Sequence, residues 1–300
     1  MKKISKDVYL IEINNLGESK RIIGVIRHKP SKCILIDSGL DDKDAKKIIN
    51  KLRMNNLEPE IIINTHFHTD HIGGNSYIQK IAKSEIFAAK FEEALISCPA
   101  IEGYLFYSGA KPPKETINKN ILVKSSNISK KLEINKNYQF GNKNIKIISL
   151  AGHTPQHIGI EVNNVLFCGD GILATTDILK HNIPLYCDLA KIKETLKKLK
   201  SIKNKIFVLS HYGATKNIAK HLNENEKSLN ELRTEILIIL NSPNSTEEII
   251  TKIFEKKKVH IKNLQDYLIK RLTILAFLSY LYDTKKITYN IIRSNIYWSK

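Results

Sequence analysis

Cysteine is scarce. Four residues in 300, Cys33, Cys98, Cys168 and Cys187, lie far apart and never form a C-x-x-C pair. That spacing excludes a disulfide framework and a thiolate zinc site, and leaves free, mostly buried thiols. No apolar run approaches the roughly 18 to 20 residues that span a bilayer. Met1 to Leu16 alternates charge with isoleucine where an export signal would need an apolar stretch. A cytoplasmic protein with no membrane partner is expected. Internal repeats and low-complexity linkers are also missing, which excludes solenoids and beads-on-a-string arrangements. Arginine is nearly absent: of 48 basic residues, 6 are arginine and 42 lysine. The formal charge of +18 would suit a polyanion partner, but arginine is the side chain that reads phosphates and bases bidentately. The excess is also spread along the chain. Nucleic acid is therefore the lesser expectation, and a small-molecule substrate the greater.

A hydrophobic share of 42% in 300 residues is enough for a full core, in one large domain or in a large domain with an appendage. The first two thirds alternate strands and helices. Val8 to Ile13, Ile22 to Ile26 and Cys33 to Ile36 are β-rich runs bounded by turn residues. Asp41 to Met54 places Ala45, Ile48, Ile49 and Leu52 at helical spacing behind an acidic start. Four later strands share one feature: each hands a histidine or aspartate to the loop at its end. Glu60 to Ile63 runs into His66, Ile145 to Leu150 into His153, Val165 to Cys168 into Asp170, and Ile206 to Leu209 into His211. Rigid strands hold such groups at one rim of a core and leave them open to substrate. Two stretches of weak periodicity, Ile96 to Asn118 and Gly171 to Cys187, read as loops that wall a pocket.

After Gly213 the pattern turns helical. Leu222 to Leu240 is one helix. A capping box at Ser245-Thr246-Glu247-Glu248 opens a second over Ile249 to Phe254, and Ile261 to Tyr282 is a third, with Leu264, Leu268, Leu272, Leu275, Leu278 and Leu281 as its apolar face. Ile287 to Ile291 and Asn295 to Trp298, joined through Arg293-Ser294, close a hairpin. The expected organisation is 1–215 as a catalytic α/β domain and 216–300 as a small, mainly helical, winged-helix-like domain. The apolar helices make a homodimer an additional expectation.

The densest chemical signal is His66-Phe67-His68-Thr69-Asp70-His71, followed by Gly73-Gly74. Alternate residues of an extended segment point the same way, so His66 and His68 can approach one ion while Asp70 and His71, around the next turn, face a second. Taken alone, such residues could be hydrogen-bonding surface histidines. The strand-terminal His153 in Gly152-His153-Thr154-Pro155, Asp170 in Gly169-Asp170-Gly171, and His211 weigh against that reading.

With these motifs in this order, residues of about 8 to 213 resemble the metallo-β-lactamase superfamily of metal-dependent hydrolases, with a glyoxalase II-like ligand set. The resemblance implies an αββα sandwich, two facing sheets with helices outside, and a dinuclear site at one sheet edge. By motif position it assigns His66, His68 and His153 to a first metal, Asp70, His71 and His211 to a second, and Asp170 to a bridge. Imidazole and carboxylate donors suit zinc, the expected ion, with iron or manganese as alternatives. Two divalent cations sharing a water lower its pKa towards roughly 7 and provide hydroxide at neutral pH. The implied reaction is hydrolysis of a small ester, thioester, lactone or phosphoester, with Asp70 also orienting the nucleophile and relaying its proton.

Subfamily features narrow this little. Secreted β-lactamases of the best-known class carry Cys where this chain has Asp170, quorum-quenching lactonases carry Tyr where it has Leu173, and glyoxalase II follows its Gly-Asp with an Arg-containing loop. Cleavage of single-stranded RNA and a mononuclear iron, persulfide dioxygenase-like activity are the alternatives, and a non-catalytic metal-binding scaffold is a third. Of the other residues, His157 reads as a support to the site, Asp37 as a turn carboxylate behind it, Tyr212 as an aromatic wall or an oxyanion donor, and His28, His181, His221 and His260 as surface or structural. Cys168 reads as strand core.

Overall fold

The computed structural model describes residues 1–14, 19–114, 123–203 and 205–300. Its centre is a pair of sheets. The first takes seven strands in chain order, β1 Lys2–Ser5, β2 Val8–Ile13, β3 Arg21–Arg27, β4 Lys32–Ile36, β5 Glu58–Ile63, β6 Glu85–Ala89 and β7 Lys130–Leu132. It is antiparallel from β1 to β4 and parallel from β4 to β7. The second contains β8 Asn137–Phe140, β9 Lys143–Ser149, β10 Ile158–Val162, β11 Val165–Gly169, β12 Ile206–Leu209 and β13 Gly213–Thr215, in the spatial order β13-β12-β11-β10-β9-β8. Within it only β11 and β12 are parallel.

The strands β5 and β11 are apolar on both faces where they cross the core, as a sheet covered on both sides requires. In β11, Val165 and Phe167 enter the core between the sheets while Leu166 and Cys168 enter the core beneath the helices. In β5, Ile61 and Ile63 face the other sheet and Ile62 faces outward. Gly24 of β3 marks a close approach of the two sheets, since a Cβ there would sit 2.4 Å from the Phe167 ring.

Outside the first sheet lie α1 Asp42–Arg53 and α3 Asn75–Ala82, which close a core through Ala45, Ile48, Leu52 and Ile78. Between them in sequence is α2 Thr69–Ile72, and α4 Lys90–Ser97 and α5 Ala100–Phe106 follow β6. Asp41 caps α1, accepting from the amides of Lys43 and Asp44. Outside the second sheet lie α6 Thr175–His181, α7 Leu189–Ser201 and α8 Ala219–Ile239. The fold is an αββα sandwich.

The chain then continues through β14 Asn244–Ser245, α9 Thr246–Lys256, α10 Leu264–Asp283, β15 Thr288–Ile292 and β16 Asn295–Ser299. The capping box forms, with Ser245 accepting from the Glu248 amide and Glu248 accepting from that of Ser245. The hairpin also forms, and it gains β14 as a third strand against β16. This helical part shares one continuous core with the outer face of the second sheet, where Leu196 and Phe207 join Leu229, Ile274, Phe277 and Leu281.

Three readings are corrected. The weakly periodic stretch from Ile96 contains α5, and that from Gly171 contains α6. Seven residues span only two turns, too few for periodicity to show, and residues 115–118 of the first stretch lie outside the described residues. In α10 the buried stripe keeps Leu268, Leu278 and Leu281 of the expected face but also runs through Lys270, Thr273, Ile274 and Phe277, and leaves Leu264, Leu272 and Leu275 only partly covered. Thr273 is drawn inside by two hydrogen bonds, donating to the Pro184 carbonyl at 2.9 Å and accepting from the Tyr186 amide at 3.1 Å.

Candidate metal centre

The carboxyl ends of β5, β9, β11 and β12 open on one rim of the sandwich. The two sheets are tied there by backbone hydrogen bonds, Ile158 N–H to the Thr65 carbonyl at 3.0 Å and Ile22 N–H to the Ser210 carbonyl at 2.8 Å. β5 delivers Thr65, His66 and His68, and α2 turns the chain so that Asp70 and His71 face the same rim. The Gly-Gly that follows is a packing requirement. A Cβ on Gly73 would lie 1.8 Å from the Leu40 carbonyl oxygen and one on Gly74 2.3 Å from that of Ser38, while the Ser38 amide and hydroxyl hold the His71 carbonyl at 2.8 and 3.1 Å.

All seven expected residues converge. His66 Nε2 lies 3.0 Å and His153 Nε2 2.9 Å from His68 Nδ1. Asp70, His71 and His211 bring ligand atoms to within 4.8 Å of one another, and so do His66, His71 and Asp170. Asp170 Oδ2 sits between the two triads, 3.6 Å from His153 Nε2, 3.6 Å from His71 Nε2 and 3.4 Å from His211 Nε2.

Outer hydrogen bonds fix which nitrogen of each ring carries its proton. His153 Nδ1 donates to the Leu185 carbonyl at 3.0 Å, and His211 Nδ1 to that of Lys20 at 2.8 Å. Asp37 Oδ2 accepts from His71 Nδ1 at 2.8 Å and from the Thr65 hydroxyl at 2.8 Å, and that hydroxyl in turn accepts from His66 Nδ1 at 3.0 Å. The Nε2 atoms of four rings therefore point inward. Ring nitrogens of His66 and His153 come within 2.9 to 3.0 Å of that of His68, as donors to one cation would. Tetrahedral nitrogen donors at zinc distances stand about 3.3 Å apart, close to what is seen. His71 Nε2 is buried with no hydrogen-bond partner among the described residues. The donor set fits a divalent cation, because every inward atom is an imidazole nitrogen or a carboxylate oxygen.

The electrostatics agree. Burial, then crowding by other histidines, pushes His66 and His68 well below the usual histidine range. Burial would do the same to His71 and His211, but the carboxylates of Asp70 and Asp170, with Asp37 at His71, outweigh it. His71 is raised well above its ordinary value and His211 to about 9. Despite its burial, Asp170 is held well below the usual carboxylate range by His211 and His71. Such a rim attracts positive charge.

Supporting residues include several with no signature in the sequence. Glu92 of α4, fully buried, accepts from the Phe67 amide at 3.0 Å, the Thr154 hydroxyl at 2.8 Å and the Gln156 amide at 3.0 Å, and so ties the loop of His66 and His68 to that of His153. Burial raises its carboxyl to about 7. Thr65 and the carbonyls of Leu185 and Lys20 were equally unmarked. His157 is a support, its Nε2 accepting from the Asp170 amide at 3.0 Å.

Asp37 also accepts from the Thr65 amide at 2.8 Å, from a backbone with φ of +63°. Cys168 is buried beneath the helices, its thiol raised by that burial. Cys187 is half-buried and Cys98 exposed, with all four thiols free. Tyr212 is 44% exposed and edges onto His221 outside the cavity lining, and His181, read as surface or structural, lines the cavity.

That cavity, about 320 Å³, opens on Asp70, His153, Asp170 and His211. Its lining includes Leu173, Ile183 and Leu185 from the stretch expected to form a pocket wall. The described part of Ile96 to Asn118 contributes nothing to the lining. Its place is taken by Asp266, Ile269 and Lys270 of α10.

Two facing sheets under helices, with a histidine and carboxylate cluster at the strand ends, define a metal-binding αββα sandwich. The chain belongs to the metallo-beta-lactamase superfamily, whose sequence pattern matches residues 23–211. It is 31% identical over 165 residues to a hydroxyacylglutathione hydrolase 1 of Vibrio vulnificus (strain YJ016), covering 54% of this chain and 53% of that protein. Against a glyoxylase B2 of Dictyostelium discoideum it is 26% identical over 162 residues, covering 49% and 50%. The chain thus spans about half the length of the curated relatives it matches. Among solved structures, a metallo-beta-lactamase family protein of Thermus thermophilus superposes with a TM-score of 0.74 at 15% identity, covering 98% of this chain and 99% of that one. A beta-lactamase domain protein of Burkholderia ambifaria gives 0.75 at 14%, covering 99% and 92%. At these identities the likeness is one of fold, and it includes the C-terminal helices. No helix among the described residues is long and apolar enough to cross a membrane.

Proposed function

We propose that the protein is a dinuclear metal-dependent hydrolase of a small thioester or ester, within a range that includes lactones and phosphoesters. The carrying observation is Asp170 Oδ2 standing 3.4 to 3.6 Å from histidines of both triads, the position of a bridge. His66, His68 and His153 would hold one ion, and Asp70, His71 and His211 the other, with zinc expected and iron or manganese as alternatives. Bound there, the ions would supply Lewis acidity and acidify a shared water.

The chain's own residues do the rest. Leu173, Ile183 and Leu185 offer an apolar wall to an acyl group and exclude water from it. Asp70 lines the cavity with a third of its side chain exposed, and His71 and His211 help to hold it ionised. It would orient the nucleophile and accept its proton. A thioester is favoured because a relative 31% identical over half the chain bears the name hydroxyacylglutathione hydrolase. Against RNA as the substrate, the buried stripe of α10 is used in the core.

The test is hydrolysis of thioesters, esters, phosphodiesters and short RNA by metal-loaded protein and by its H68A and D70A variants. Thioester or ester hydrolysis that falls at least a hundredfold in both variants supports the reading. Activity that survives both substitutions, or appears only on RNA, overturns it.

A further inference from the structure

Seven residues beyond Asp170, α6 carries an acid that the metal set does not use. Asp177 lines the same cavity as Asp70, Asp170 and His211, and its Oδ2 is buried with no hydrogen-bond partner among the described residues. The neighbouring ammonium groups are engaged elsewhere. Lys180 donates to the Ser19 hydroxyl at 3.0 Å, and Lys270, on the opposite wall, is held by Asp266. His181, one turn along α6, also lines the cavity, and burial followed by the charges of Lys180 and Lys270 lowers its pKa, which keeps it neutral.

A buried carboxylate oxygen without a donor is costly, and native proteins rarely keep one without a reason. Asp177 shares its cavity with Leu173, Ile183 and Leu185, so an entering ligand would meet, besides Asp70 and Asp170, one further carboxylate that has no protein donor among the described residues, in the company of apolar side chains. His211, Asp170 and Asp70 line the same cavity as Asp177, which puts its carboxylate in the compartment of the proposed metal centre. Burial raises its pKa, as expected of a carboxylate awaiting a donor.

We propose that Asp177 is a specificity-determining residue that accepts a hydrogen bond from a hydroxyl or ammonium group on the acyl portion of the substrate, beside the scissile carbonyl. The inference rests on the hydrolase reading for its catalytic consequence. Its binding consequence is independent of turnover. A site with such an acceptor discriminates strongly against the analogue that lacks the donor, because the acceptor is then left buried and unpaired.

The experiment uses thioesters of butanoic, 2-hydroxybutanoic and 2-aminobutanoic acid with one common thiol, on the metal-loaded wild type and on D177A and D177N. In parallel, calorimetry measures binding of the three free acids. The wild type is expected to favour a donor-bearing acyl group at least tenfold in kcat/KM, and D177A to lower that ratio about 10- to 100-fold, the size of a hydrogen bond to a charged group. D177N, which preserves shape, separates the two donors. Its amide oxygen still accepts from a hydroxyl, so a preference that survives in D177N identifies the hydroxyl, and one that collapses identifies the ammonium. A wild type with no preference, or a D177A variant that changes all three substrates by one factor, overturns the proposal. Should no thioester be hydrolysed, the thioester reading fails by itself. The calorimetric preference for 2-hydroxybutanoate or 2-aminobutanoate over butanoate, and its loss in D177A, still decides the role of Asp177.

Discussion

Asp37 is the residue whose replacement most sharply tests how the rim is organised. Its carboxylate accepts three hydrogen bonds at 2.8 Å, from the Thr65 amide, the Thr65 hydroxyl and His71 Nδ1. Through the hydroxyl it also orients His66, so one carboxylate stands behind a histidine of each triad. Asparagine is nearly isosteric and tolerates the +63° φ, so D37N should fold. Its single amide oxygen can serve the Thr65 amide, but its NH₂ then faces the Thr65 hydroxyl and His71 Nδ1. His71 can satisfy that NH₂ only by moving its own proton to Nε2, the nitrogen that points at Asp170. Loss of such an outer partner costs about 10- to 100-fold in metal affinity, or about 1.4 to 2.7 kcal/mol. The assay is competitive titration with a chelator, with denaturant unfolding of the metal-free protein as the control for folding. If D37N bound both equivalents within twofold of the wild type, the argument from outer hydrogen bonds would be wrong.

Three other outcomes follow from the same structure. G73A should lose at least about 3 kcal/mol or fail to fold, because its methyl would meet the Leu40 carbonyl oxygen at 1.8 Å and a backbone atom cannot swing aside; thermal melting reads this directly. E92A leaves the Phe67 amide, Thr154 hydroxyl and Gln156 amide without their acceptor and should cost about 3 kcal/mol, measured as a lower urea midpoint with an unchanged slope. In metal-free protein, His211, with its pKa raised to about 9, stabilises the fold fully below about 6.5 and loses that contribution as pH rises through 9. Metal binding near pH 8 should therefore release protons, and calorimetry in two buffers of different ionisation heat should give different apparent enthalpies; identical enthalpies would remove His211 as a proton carrier.

The cluster of candidate ligands was legible in the sequence because ligation would demand particular side chains, and each one follows a β-rich run that sets its position. The β-rich runs that form β5 and β11 were likewise marked in the sequence. What the sequence concealed acts through the backbone or through a partner distant in the chain. The carbonyls of Leu185 and Lys20 orient His153 and His211 with no side-chain signature. Glu92 resembles any acid in the first turn of a helix until its three donors assemble from two loops. The helices α5 and α6 were hidden by brevity, and the true stripe of α10 by Thr273, whose burial depends on the Pro184 carbonyl and Tyr186 amide. The cavity wall made by α10 was unreadable for the same reason, since Lys270 and Asp177 meet across one cavity only after folding.

The central claim is that two cations flank Asp170. Anomalous scattering from crystals grown with the metal the purified protein carries tests it most directly. Two peaks should appear, one among His66, His68 and His153 and the other among Asp70, His71 and His211, with Asp170 between them. A single peak, or none at this rim, would contradict the dinuclear account.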